Sequence, residues 1–82
     1  MTRQAIYDRL RAIGVSVESA DAVSEALEPL PDKKVEAFLL CANGMTERKA
    51  CKICQISKGA YWRMICKIKR GIMNNHTYIH SI

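Results

Sequence analysis

The chain has 82 residues, 49% of them hydrophobic and 26% charged, with only two prolines, which describes one ordered helical domain with a single modest core and argues against a disordered tail. No segment approaches the ~20 apolar residues of a membrane span, and residues 1–14 lack the apolar run and cleavage site of a signal peptide, so a cytoplasmic location with reduced thiols is expected. The net charge of +5 conceals an asymmetry: residues 1–31 carry three basic and five acidic side chains, residues 32–82 ten and three, so the C-terminal half suits a polyanion.

Taken in order, Thr2 is placed to cap a first helix with Ile6, Leu10 and Ile13 on one face, ended by Gly14 in the left-handed conformation that glycine adopts cheaply. A second helix starts near Ser16 or Ser19, sets Ala20, Val23, Leu27 and Leu30 at helical spacing, and stops in Glu28-Pro29-Leu30-Pro31, because each proline disfavours helix in the residue before it. Asp32 is the expected cap of a third helix carrying Val35, Phe38, Leu39 and Ala42, which ends at Asn43-Gly44. Thr46 caps a fourth, about residues 47–54, whose apolar side is Ala50, Cys51, Ile53 and Cys54. Gln55-Ile56 forms the turn, Ser57 caps a fifth helix, and Tyr61, Met64, Ile65, Ile68 and Ile72 make its stripe, weakened at Gly71. The tail from residue 73 to 82, with His76 and His80, is compatible with a short strand, a frayed end or a dimer contact.

The expected fold is therefore all-α, a small five-helix domain. Residues 1–30 form a helical pair that suits a lid or dimerisation element, residues 32–72 a three-helix unit containing a helix-turn-helix, and residues 73–82 a tail. In a helix-turn-helix the first helix needs a small residue where the second crosses it, and apolar residues around the turn to lock the angle. Cys51 is the small residue, and Ala50, Cys54, Ile56, Tyr61 and Met64 are the apolar ones. Counting 100° per residue from Tyr61, the opposite face of the fifth helix carries Gly59, Arg63, Cys66, Lys67 and Arg70, flanked by Trp62 and Lys69.

That face is the expected reader of double-stranded DNA, with residues 57–70 as recognition helix. Lys58 and Arg63 are candidates for base edges, because Arg or Lys bridging guanine O6 and N7 is the commonest specific contact. Thr46, Ser57 and the helix N-termini, with Arg48, Lys49, Lys67, Lys69 and Arg70, suit phosphates. Gly59 lets the backbone come close to DNA, and Trp62 is either core or a contact to thymine methyls or sugar. Gly44, Thr46, Arg48-Lys49-Ala50-Cys51 and Ile56-Ser57-Lys58-Gly59-Ala60-Tyr61 resemble the signature of the PapB-type regulators of fimbrial adhesin operons over residues 34–68. The Ser57-Lys58-Gly59-Ala60 portion is equally similar to the plasmid KorA/TrfB repressors. The resemblance implies a small helical transcription regulator of bacterial, phage or plasmid origin that oligomerises, a homodimer by default, with Arg48, Lys49, Ser57, Lys58 and Gly59 facing DNA. Trp62 departs from the adhesin-regulator pattern, which favours a small polar residue there, and residues 1–30 match neither family.

Other chemistries have less behind them. Cys51-x2-Cys54 with His76-x3-His80 suggests zinc, but twenty-one residues separate the pairs where a zinc finger has about twelve, so no metal or other cofactor is expected. No catalytic constellation is discernible, so the chain is not expected to be an enzyme. The alternative function is a helical protein-interaction module or inhibitor that sets the basic face and Trp62 against an acidic protein. Structured RNA is a weaker fit, because one Phe, one Trp and three Tyr are too few for the usual stacking modules.

Overall fold

A computed structural model describes the backbone of residues 1–80 and the side chains of residues 1–71. It contains α1 (Arg3–Ala12), α2 (Val17–Leu27), α3 (Asp32–Ala42), α4 (Glu47–Cys54) and α5 (Lys58–His80), with no strand among the described residues. The chain is an all-α, five-helix protein, and no helix among the described residues is long and apolar enough to cross a membrane.

Local sequence accounts for most of the boundaries. Thr2, Ser16, Thr46 and Ser57 each accept a hydrogen bond from the amide three residues on, at 3.1, 3.3, 3.3 and 3.1 Å, which satisfies donors that the first helical turn leaves orphaned. The choice between Ser16 and Ser19 falls to Ser16. Gly14 and Gly44 end their helices with φ of 95° and 104°.

Asp32 is a correction: it is the first residue of α3 rather than its cap, Pro31 holds the cap position without a side-chain bond, and the Asp32 carboxylate instead meets the N-terminal amine. Proline fits there because its missing N–H removes one donor that would otherwise need a partner.

One hydrophobic cluster joins all five helices, and the innermost large side chains are Ile6, Leu10, Leu27, Val35 and Leu39. α1 packs chiefly on α2 and α3 on α4, while α5 touches α2, α3 and α4. α3 sits between these groups and is buried on two sides, by Val35 and Leu39 on one and by Ala37 nearly opposite, whereas Phe38 is half-buried and Ala42 exposed. A single stripe at helical spacing finds only one of those sides. Ser24 of α2 is also fully buried, its hydroxyl donating to the Asp21 carbonyl at 2.9 Å, so it occupies the core without an unsatisfied polar atom.

Four ion pairs among the described residues fasten the first three helices. Arg9 grips Glu36 through both oxygens at 2.6 and 3.1 Å and ties α1 to α3; Arg3 meets Asp21 at 2.6 Å and Glu25 at 4.0 Å and ties α1 to α2; the N-terminal amine takes Asp32.

Toward the C-terminus one expectation fails and one open alternative is removed. Ile53 is 55% exposed rather than part of the apolar side of α4, because an eight-residue helix presents only one narrow face, here Ala50, Cys51 and Cys54. α5 runs through Gly71 to His80, which removes the short-strand alternative for residues 73–80; an interior glycine costs a helix only about 1 kcal/mol. The side chains of Ile72, His76 and His80, and residues 81 and 82 altogether, lie outside the described residues.

Candidate nucleic-acid interface

α4, the turn and α5 form a compact corner whose inner surface comes from side chains three and four apart. Cys51 and Cys54 on α4 share one buried cluster with Tyr61, Met64 and Ile68 on α5, Ile56 packs partly buried against it, and Ala50 is buried as well. Gln55 takes the left-handed conformation at φ 58°, ψ 46°, so its amide reaches back to Cys51 and Lys52 while the chain swings into Ile56. Cys51 is 4% exposed, small enough to let the second helix lie across the first.

Burial raises the Cys51 and Cys54 thiols above their ordinary range, with nearby Glu47 and Cys41 adding to Cys51 and Glu36 to Cys54. Burial, then a hydrogen bond with Cys41, raises the Tyr61 phenol as well. These groups therefore stay neutral and behave as packing rather than as ligands or nucleophiles.

All ten sequence-predicted site residues are exposed: Thr46, Arg48 and Lys49 along the start of α4, Ser57, Lys58 and Gly59 at the start of α5, then Trp62, Arg63, Lys67 and Arg70. The structure brings them into smaller groups. Trp62, Arg63, Lys67 and Arg70 line one shallow groove along α5 with Cys66, while Thr46 and Lys49 line another with Leu40, Asn43, Gly44 and Met45. Arg48, Ser57, Lys58 and Gly59 belong to neither groove. Trp62 is 45% exposed, which rules out the core alternative. Thr46 and Ser57 already use an oxygen lone pair as helix caps; each hydroxyl still has its proton to donate.

Gly59 has no packing reason to be glycine. A Cβ built there would meet only the Arg63 Nη1 at 3.8 Å, an ordinary contact with the end of a flexible side chain, and its φ is not left-handed.

Lys52 is the residue the sequence reading left out. It is exposed on α4 beside Arg48 and Lys49, and helical spacing from Arg48 was signal enough to include it. Residues 46–71 thus carry eight Lys and Arg against one carboxylate, Glu47, and none of the eight has an ion-pair partner among the described residues. Arg3 and Arg9 of α1 meet carboxylates of α2 and α3, whereas the α4–α5 corner has no such pairing among the described residues.

Comparison with models of known protein families, with curated proteins and with solved structures gives no match to this chain.

Proposed function

We propose that the chain is a sequence-specific DNA-binding transcription regulator whose α4–α5 corner is a helix-turn-helix, with the first turns of α5 entering the major groove. The observation that carries this reading is the set of eight exposed cations on α4 and α5 without an ion-pair partner among the described residues, arranged around the capped start of α5. Cations spread along two neighbouring helices suit the phosphates of a duplex, and the exposed start of α5 is the part that reaches base edges in this motif. The resemblance of residues 34–68 to PapB-type and KorA/TrfB-type repressors points to the same class.

In this reading Arg63 and Lys58 address bases, and Arg48, Lys49, Lys52, Lys67 and Arg70 hold phosphates. Arg63→Ala lowers affinity by about 1–3 kcal/mol and relaxes preference at one base pair, whereas Lys67→Ala weakens all sequences alike and flattens the salt dependence by about one phosphate. Selection of fragments from a random duplex pool, followed by titration of both variants over a salt series, is the test. Unchanged binding in both would remove the α5 face as reader.

A second reading rests on Trp62, whose 45% exposure amid Arg63, Lys67 and Arg70 suits an interface anchor against an acidic protein surface. A duplex of random sequence separates the two at low salt. A DNA reader binds it with a steep salt slope; a module for an acidic protein does not.

A further inference from the structure

Between the end of α2 and α5 lies an apolar groove of about 240 Å³, lined among the described residues by Ala26, Pro29, Leu30, Met64, Lys67 and Ile68. Met64 and Ile68 are buried core residues and form its floor. Ala26 offers only a methyl and a proline has no amide N–H, so the Lys67 ammonium is the single charged group of the lining. No ion pair among the described residues neutralises it. No Asp or Glu follows Glu47 in the sequence. The carboxylates nearest the groove along α2 and the start of α3 are engaged elsewhere: Glu28 accepts from the Arg3 amide at 3.2 Å, Glu25 meets the Arg3 guanidinium at 4.0 Å, and Asp32 takes the N-terminal amine. Lys67 also lines the groove along α5 with Trp62, Arg63, Cys66 and Arg70, so it stands on the ridge between an apolar cavity and the cationic face.

We propose that this groove binds a small free monocarboxylate with an apolar body, a medium-chain fatty acid or an arylacetic acid, whose carboxylate pairs with the Lys67 ammonium. Apolar walls with one charged group are the usual make-up of a small-molecule site, and a volume below the roughly 300–1,000 Å³ of pockets for drug-sized ligands limits the occupant to about ten heavy atoms. The flexible stem of lysine lets its ammonium close over an anion seated at the rim. A neutral apolar molecule leaves that charge unused, and an alkylammonium is repelled by it and by the net +5 of the chain. The consequence for regulation rests on the DNA reading: ligand carboxylate and DNA phosphate compete for one ammonium, so the ligand lowers duplex affinity and reduces its salt dependence by about one phosphate.

The test is titration of the full chain with octanoate and with phenylacetate, followed through the methyl resonances of Met64, Met1 and Met45. Met64 is expected to shift and saturate with a Kd of about 1 mM while Met1 and Met45 stay unmoved, and octanol and octylammonium to bind at least about fivefold more weakly. Lys67→Met keeps an unbranched apolar stem without the charge and erases the preference for octanoate over octanol. Ala26→Met fills the groove and abolishes binding of both. Should that variant fail to fold, the charge preference of Lys67→Met decides, since Lys67 is exposed. Failure of both acids to move Met64 overturns the proposal, as does equal binding of octanol and octanoate by the wild-type chain, or a preference that survives Lys67→Met. On duplex DNA, saturating octanoate is expected to weaken the wild-type chain about threefold and to leave Ala26→Met unaffected. Unchanged wild-type affinity for the duplex overturns the competition. A chain that takes octanoate and ignores DNA overturns the DNA reading alone, and one that binds DNA but neither acid overturns the site alone.

Discussion

At the scale of single residues, Gly59 and Trp62 are the two that the fold does not explain. Gly59 lies in the first turn of α5, where alanine has both the room and the backbone conformation it needs. Gly59→Ala is therefore expected to raise stability, by about 0.5 kcal/mol in a denaturant titration, because alanine loses less backbone entropy on entering a helix. If the start of α5 approaches DNA closely, the same change lowers affinity by about 1 kcal/mol, roughly a factor of five, as the added methyl meets the sugar-phosphate surface. A gain in stability without a loss of affinity would leave glycine unexplained and weaken the reader assignment. Trp62 shows how a residue at the flank of a stripe escapes periodicity: the 100° count sets it between core and surface, and only the packing of α4 beneath Tyr61 and Met64 turns it outward.

Among the elements, the turn between α4 and α5 fixes the angle of the cationic helix, and it does so with a residue poorly matched to its backbone. Gln55 is the one non-glycine residue with positive φ among the described residues, and a side chain there costs about 1–2 kcal/mol relative to a right-handed conformation. Gln55→Gly relieves that cost, partly offset by glycine's greater freedom when unfolded, so a net stabilisation of about 0.5–1 kcal/mol is expected in the same titration. Loss of stability would mean that the Gln55 side chain carries an interaction beyond its backbone conformation. α4 depends on this corner more than the longer helices do, since eight residues are too few for a helix to persist alone in water.

For the whole molecule, the division of charge has a counterpart in its pH behaviour. The buried thiols of Cys51 and Cys54 and the Tyr61 phenol all keep their protons more tightly folded than unfolded. Above the ordinary thiol value of about 9 the unfolded chain therefore releases protons that the native chain retains, and stability falls as pH rises. The contribution is fully present below that value and lost above it. Thermal melts between about pH 7 and pH 10.5 are expected to show a decline that Cys51→Ala reduces. A flat profile across that range would contradict neutral burial of these groups.

The five helices, their serine and threonine caps and both glycine stops were legible in the sequence because each rests on local chemistry: an oxygen three residues before an orphan amide, an apolar residue every third or fourth place, a glycine where φ turns positive. The exposed cationic face of α5 was legible for the same reason, being the side opposite Tyr61 and Met64. Tertiary structure alone decided that α3 is buried on two sides, that Ser24 and Ala37 enter the core, and that Ile53 and Trp62 do not. Each of these depends on how many neighbours a helix has and where they lie, and spacing along one helix carries no information about the helices packed against it.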